Sequence, residues 1–264
     1  MLVPMKRAGA AGLHAGGRAC SDLVRGNRGG IGGGKVLHLL RHAESTWNEA
    51  TAGEHVGAHP GLVLLDAPLS ARGRLQAAAI HGHAARLVPP PELVLSSPLS
   101  RALSTALAFN GSGGSGGAVP LELEPLCREQ LENSCDIGRS TADLAVDAEF
   151  AALFTGGGSD TCWWGPLPGA GGDASTEATL ARLRAGEMEP NAAVALRCAA
   201  LLVQIARRPE TSIVVVSHCM FLRALEEALG YPAREYLANA QVKTVHAPSA
   251  VLARFADIDE RLDW

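Results

Sequence analysis

The chain has 264 residues, of which 47% are hydrophobic and 19% charged, with a formal net charge of −4. That is enough for one domain with a substantial core, and the balance is that of a soluble globular protein. Slight acidity excludes any global argument for nucleic acid or a membrane surface as partner, and no apolar run approaches the roughly 20 residues that span a bilayer.

Residues 1–34 are rich in Gly, Ala and Arg, with Asp22 the only acid. Such a segment buries too little apolar surface to offset its ordering entropy, so a disordered extension is expected. A targeting segment is the alternative, since transit peptides are basic and acid-poor. Residues 35–264 then form a single domain. Val36 to Leu40 is an apolar run of strand length that passes directly into the polar stretch Arg41 to Asn48. From Pro68 to Arg86 a turn signal precedes Leu75, Ala78, Ala79 and Ala84 at helical spacing, with Leu87 just beyond. Leu93 to Leu95 reads as a second strand, and Pro98 opens a helix to about Phe109.

A Gly/Ser linker, Gly111 to Gly117, leads to a strand at Pro120 to Leu123. Residues 155–190 read as a long Gly-rich insertion with one helical piece around Glu177 to Leu183. Asn191 to Arg207 is a helix whose buried face carries Val194, Leu201, Leu202 and Ile205. Ile213 to Val216 is a β-branched strand of the kind covered on both faces. A helix from Met220 to Leu229 follows, and Val242 to His246 and Val251 to Phe255 are expected strands. Strands alternating with helices predict an α/β fold, a three-layer α/β/α sandwich around a mostly parallel sheet.

In such sheets ligands gather beyond the carboxyl ends of the strands. The first strand runs into Arg41 and His42, the strand at Ile213 to Val216 runs into Ser217 and His218, and Leu93 to Leu95 empties into Ser96, Ser97 and then Arg101. Each alone has an ordinary reading, Arg101 as a solvated charge and Ser217-His218 as a satisfied polar pair. Three strand exits together form a set suited to a phosphoryl group. Guanidinium forks match phosphate oxygens in paired hydrogen bonds, and histidine can attack phosphorus.

The stretch Leu40-Arg41-His42-Ala43-Glu44-Ser45-Thr46-Trp47-Asn48 resembles the signature of the histidine phosphatase superfamily, the phosphoglycerate mutase-like proteins. Asp66-Ala67-Pro68-Leu69-Ser70 with Gly73 and Gln76-Ala77 is similar to that family's second block. Ser96-Ser97-Pro98-Leu99-Ser100-Arg101-Ala102 with Thr105-Ala106 is similar to its third, and Val214 to His218 with Phe221-Leu222-Arg223 to its last. The run Arg128-Glu129 followed by Cys135-Asp136 and Gly138-Arg139 looks most like a plant, algal and fungal branch. The resemblance implies a phosphoglycerate mutase-like fold with His42 as nucleophile. Arg41, Arg101 and His218 would clamp the phosphoryl group, with Ser45 and Asn48 near the phosphate. It also implies a proton donor in a central loop, where Glu129 is the match and Glu132 a competitor. Ala43 stands where the family usually has Gly; it is read as tolerated, and it would impair the site only if the backbone there required Gly.

The function expected is hydrolysis of a small phosphorylated metabolite through a phosphohistidine. Mutase-type phosphoryl transfer and a binding module without turnover are the other readings. The region Glu54 to Pro60 differs from the stretch by which cofactor-dependent mutases hold glycerate. No cofactor and no metal are implied: His81 and His83 lie two apart on a helical segment and point to different sides. Six cysteines without a C-x-x-C pair suit reduced thiols in an intracellular protein. The compartment expected is the cytoplasm, or a plastid or mitochondrion if residues 1–34 are a transit peptide. The partner expected is a small phosphate ester, with no nucleic acid or membrane. Leaving-group recognition is expected in Glu49 to Leu65 and Thr155 to Pro190. Trp163 and Trp164 serve there either as anchors of the insertion or as a wall of the pocket. A neutral attacking histidine and a protonated acid together predict a bell-shaped pH dependence.

Overall fold

The computed structural model describes residues 33–51, 59, 61–111, 118–165, 175–232 and 235–256. The expectation for residues 1–34 therefore lies outside the described residues apart from its last two positions, as does the Gly/Ser linker beyond Gly111. Five strands, β1 (Lys35–Arg41), β2 (Leu93–Ser96), β3 (Leu121–Leu123), β4 (Ser212–Ser217) and β5 (Val242–Ala247), form one sheet in the order β3-β2-β4-β1-β5. All neighbouring pairs are parallel except β1 with β5. Every residue of β4 is buried, as a continuous β-branched run demands when both sheet faces are covered.

Leu37 and Leu39 of β1, Leu93 and Leu95 of β2, and Ile213 and Val215 of β4 point to one face. There they meet α6 (Asn191–Arg207), α7 (Cys219–Ala228) and α8 (Ser249–Ala256) through Leu201, Leu202, Phe221, Leu225 and Leu252. Leu40, Val94, Val214 and Val216 point to the other face, against Ala102, Ala106 and Phe109 of α3 (Ser100–Asn110). These are the three layers expected. Arg41 pairs opposite Ser217, and Ser96 opposite Val216, so residues 42, 97 and 218 leave the sheet along one rim. Among the described residues no helix is long and apolar enough to cross a membrane.

Two elements differ from the reading of the sequence. Val251 to Phe255, expected as a strand, lies within α8, which follows Pro248 and buries Leu252 completely. A five-residue stretch whose apolar residues are interrupted only by Arg254 is too short for a periodicity that separates strand from helix. The helix expected over residues 68–86 is shorter, with α2 spanning Ala71–Ala79 and a 3₁₀ turn spanning His83–Arg86. Its Leu75 is 73% exposed, and the buried face is made by Gly73 and Ala77 instead.

The reason is close approach. A β-carbon built on Gly73 would lie 1.8 Å from the carbonyl oxygen of Glu44, so α2 rests directly on the backbone that follows His42. Ser70 caps α2 by accepting from the Gly73 N–H at 2.9 Å, and its hydroxyl donates to Glu44 Oε1 at 2.7 Å. In an open helix Gly→Ala stabilises. Here Gly73→Ala is expected to cost about 1–3 kcal/mol through overpacking, read as a lower urea midpoint with an unchanged m-value.

Candidate active site

The exit of β1 carries the first functional group. The His42 N–H donates to the Ser217 carbonyl at 3.0 Å and so extends the β1–β4 ladder by one residue. The ring Nδ1 lies 2.7 Å from the carbonyl oxygen of Ala43. A carbonyl only accepts, so Nδ1 carries the hydrogen and the lone pair of the neutral ring sits on Nε2. The His218 ring, at the exit of β4, lies with its centroid 5.0 Å from that of His42. Its Nε2 is 2.9 Å from Ser97 Oγ at the exit of β2, while its buried Nδ1 has no hydrogen-bond partner among the described residues. Burial, and then the charges of Arg101, His42 and Arg41, hold its pKa well below the usual imidazole range, so the ring is neutral.

Both arginines are buried and held by the backbone. Arg41 Nη1 donates to the Leu237 carbonyl at 2.8 Å. Arg101, in the first turn of α3, donates from Nη1 to the Cys135 carbonyl at 2.6 Å and from Nη2 to Asp136 Oδ1 at 3.0 Å. One turn on, Thr105 Oγ1 donates to the Arg101 carbonyl at 2.7 Å and accepts from the Ala43 N–H at 2.9 Å, which fastens α3 to the segment after His42. Ala43 is not among the residues with positive φ, and its methyl packs with Leu69 and Ala77. The backbone at position 43 therefore does not require Gly.

Ser45 and Asn48 form a reciprocal cap at the start of α1 (Thr46–Ala50). Asn48 N–H donates to Ser45 Oγ at 3.2 Å, while Asn48 Oδ1 accepts from the Ser45 N–H at 3.1 Å and the Ser45 hydroxyl at 3.0 Å. The cap occupies the amide oxygen and leaves the NH₂ of Asn48 as its donor end. Asn239 supports the same region by donating from Nδ2 to the His42 carbonyl at 3.0 Å.

Glu129 is seated on the first turn of α7. Its Oε1 accepts from the N–H groups of Gln130 (2.9 Å) and Phe221 (3.1 Å), and its Oε2 from the Met220 N–H at 3.3 Å and the Cys219 thiol at 3.4 Å. Burial and then repulsion from Asp136 push its pKa up, against the pull of the Gln130 N–H, Arg101 and the Met220 N–H. Arg41, His42, Ser45, Asn48, Arg101 and Glu129 all line one cleft, and Glu132 lines it too. His218 is wholly buried against His42. Glu132 is half-buried, beside the carboxylate of Asp136 that caps its own N–H. Among the described residues no three His, Cys, Asp or Glu side chains gather as a metal site.

The two tryptophans do not line the cleft. Trp163 Nε1 donates to the Arg139 carbonyl at 2.8 Å, and its ring covers Gly138, where an added β-carbon would lie 2.2 Å from it. Trp164 is buried with Leu131, Ile137 and Leu183. They anchor the insertion on the loop that carries Glu129. The stretches 52–58, 60 and 166–174, within the regions expected to recognise the leaving group, lie outside the described residues.

Comparison with known proteins follows the same lines. The family model described as "Histidine phosphatase superfamily (branch 1)" matches residues 37–160. A phosphoglycerate mutase-like protein of Arabidopsis thaliana is 27% identical over 226 residues, covering 74% of this chain and 75% of that protein. A solved structure titled as a mycobacterial hydrolase is similar with a TM-score of 0.48 and 21% identity, covering 80% of this chain and 88% of that one. A mycobacterial glucosyl-3-phosphoglycerate phosphatase is similar with a TM-score of 0.47 and 23% identity, covering 81% and 90%.

Reading the sequence missed the support of the acid loop. Glu189 is gripped by two guanidinium forks: Arg128 at 2.7 and 3.0 Å, and Arg197 at 2.9 Å to each oxygen. Arg197 also donates to the carbonyls of Leu126 (2.6 Å), Arg128 (2.9 Å) and Glu129 (3.3 Å). Burial alone would push the Glu189 carboxyl up, but Arg128 and Arg197 overcome it and hold the group below the usual carboxylate range. A signal was present, since Arg197 sits on the apolar stripe of α6, three residues after Val194 and four before Leu201. Arg197→Met leaves three buried carbonyls without their donor and the Glu189 carboxylate with one guanidinium in place of two. It is expected to cost about 3–5 kcal/mol, measured by urea unfolding.

Proposed function

We propose that this chain, which belongs to the histidine phosphatase superfamily, hydrolyses the phosphate monoester of a small molecule through a phosphohistidine on His42. The observation that carries this reading is the 2.7 Å hydrogen bond from Nδ1 to the Ala43 carbonyl, which reserves the Nε2 lone pair for attack in a cleft that also holds Arg41, Arg101 and Glu129.

In the first step Nε2 attacks phosphorus and the bond from phosphorus to the alcohol oxygen breaks. Glu129 gives its proton to that oxygen, and the alcohol leaves. In the second step the Glu129 carboxylate takes a proton from water, the water oxygen attacks phosphorus, and the P–N bond breaks to restore His42 and release phosphate. Arg41, Arg101, the Asn48 amide and His218 face the spreading negative charge, as loose phosphoryl transition states require. His218, neutral without ligand, becomes easier to protonate once a phosphate dianion lies against it. Glu129 is favoured over Glu132 as the acid because its burial and its neighbour Asp136 keep it protonated to higher pH than an ordinary carboxyl.

Wild-type protein is expected to hydrolyse p-nitrophenyl phosphate with EDTA present, and His42→Ala to lose that turnover. Turnover that survives in the variant overturns the phosphohistidine. Efficient conversion of 3-phosphoglycerate into 2-phosphoglycerate would assign a mutase instead. Phosphate binding without any turnover across a broad panel of esters would assign a binding module.

The pH profile of kcat/KM is expected to be bell-shaped. It falls at low pH as His42 takes up a proton, and at high pH as Glu129 loses one, at a pH above the usual carboxylate range. Glu129→Gln is expected to remove the alkaline limb and lower kcat for an alkyl phosphate by about 10²–10⁴. The loss is smaller for p-nitrophenyl phosphate, whose leaving group needs little protonation. A profile unchanged in Glu129→Gln would move the acid role to Glu132.

A further inference from the structure

Resting on the phosphatase reading above, we infer that Ser97 is a positioning residue, whose hydroxyl fixes the hydrogen of the His218 ring on Nδ1 as a donor to the phosphoryl group. The inference follows from accounting for every polar group of Ser97, which is fully buried. Its N–H donates to the Val216 carbonyl at 3.0 Å and so extends the β2–β4 ladder past Ser96. Its carbonyl accepts from the Ser96 hydroxyl at 3.1 Å, and its Oγ accepts from the Leu99 N–H at 3.3 Å. What remains is the hydroxyl hydrogen, and the acceptor beside it among the described residues is His218 Nε2, 2.9 Å from Oγ.

The buried ring is neutral, so it carries one N–H and one lone pair, and its two tautomers can be compared group by group. With the hydrogen on Nδ1, the Ser97 hydroxyl donates to the Nε2 lone pair, and only the Nδ1–H lacks a partner among the described residues. With the hydrogen on Nε2, that N–H donates to Ser97 Oγ instead. The Ser97 hydroxyl hydrogen and the Nδ1 lone pair are then both unmatched inside the protein. Each buried polar group without a partner is costly, so the first arrangement is favoured. It also leaves the unmatched group with the sign that the reaction needs. An N–H attracts the oxygens of a phosphoryl group, whereas a lone pair in the same place repels them. The Ala43 carbonyl gives His42 the tautomer of a nucleophile, and the Ser97 hydroxyl gives His218 the tautomer of a donor, on rings whose centroids are 5.0 Å apart.

The test is nitrogen NMR of the full chain carrying isotope-labelled histidine, in which ring nitrogens with and without hydrogen resonate far apart. His218→Gln identifies the signals of His218 by their loss. Wild-type protein is expected to show the hydrogen on Nδ1, and added inorganic phosphate to shift that signal. In Ser97→Ala the hydrogen is expected to spread over both nitrogens, and kcat/KM for p-nitrophenyl phosphate to fall about 10-fold, the worth of one hydrogen bond. A hydrogen on Nε2 in the wild type overturns the inference by itself, however well the variant folds. An Nδ1 signal that phosphate leaves unmoved overturns the donor role. Activity lost in Ser97→Ala with the His218 tautomer unchanged makes Ser97 a structural residue and overturns the inference as well. With the tautomer as expected and no ester hydrolysed, the phosphatase reading falls while the hold of Ser97 on His218 stands.

Discussion

The parallel pairing of β1 with β4 is the constraint on which the rest of the site depends. Its register sets Arg41 opposite Ser217, and the ladder continues one residue further through the bond from the His42 N–H to the Ser217 carbonyl. Two imidazoles more than 170 residues apart in sequence are thereby fixed at a centroid separation of 5.0 Å. Side chains in a strand alternate faces, so a one-residue slip would turn every core leucine of β1 to the wrong layer as well as displace His42. The hydrophobic pattern that buries Leu37 and Leu39 on one face and Leu40 on the other therefore also specifies where His42 stands.

Burying so much charge is tolerable because each group has a matched partner. Arg41 is held by a carbonyl, Arg101 by a carbonyl and a carboxylate, and Arg197 by three carbonyls and Glu189. The guanidinium groups of Arg41 and Arg101 both line the cleft, fixed by these contacts before the proposed phosphoryl dianion arrives. That advance positioning is what makes electrostatic stabilisation effective in a site where water is scarce. His218 is different: its buried Nδ1 lacks a partner among the described residues, and a bound phosphoryl oxygen is the kind of acceptor that would satisfy it.

Much of this was legible in the chain and some was not, for physical reasons. The run Ile213 to Val216 reads as a fully covered strand because nothing in it suits water, and the polar pairs after β1 and β4 stand out for the same reason. A stretch too short to show a period gave the wrong element at Val251 to Phe255, where packing against the sheet cluster decided for helix. The exposed Leu75 was misread because α2 buries its smallest residues, a choice set by the approach of Glu44 and not by hydrophobicity. Contacts such as Ser97 to His218 and Asn239 to the His42 carbonyl join positions 121 and 197 residues apart and leave no local trace. That Ala43 is tolerated rests on a backbone angle, which the structure supplies and the sequence does not.

The loop that carries Glu129 is clamped at both ends and unequally exposed between them. Arg197 holds the carbonyls of residues 126, 128 and 129, and Trp163 sits on Gly138 and bonds Arg139. Between the clamps, Asn133 and Asp136 cap one another, and Asp136 also reaches Arg101. The loop is thus tied to α3 and α6 at once, so a substitution that loosens either helix is transmitted to the position of Glu129. Stability and the placement of that carboxyl are inherited together in this fold.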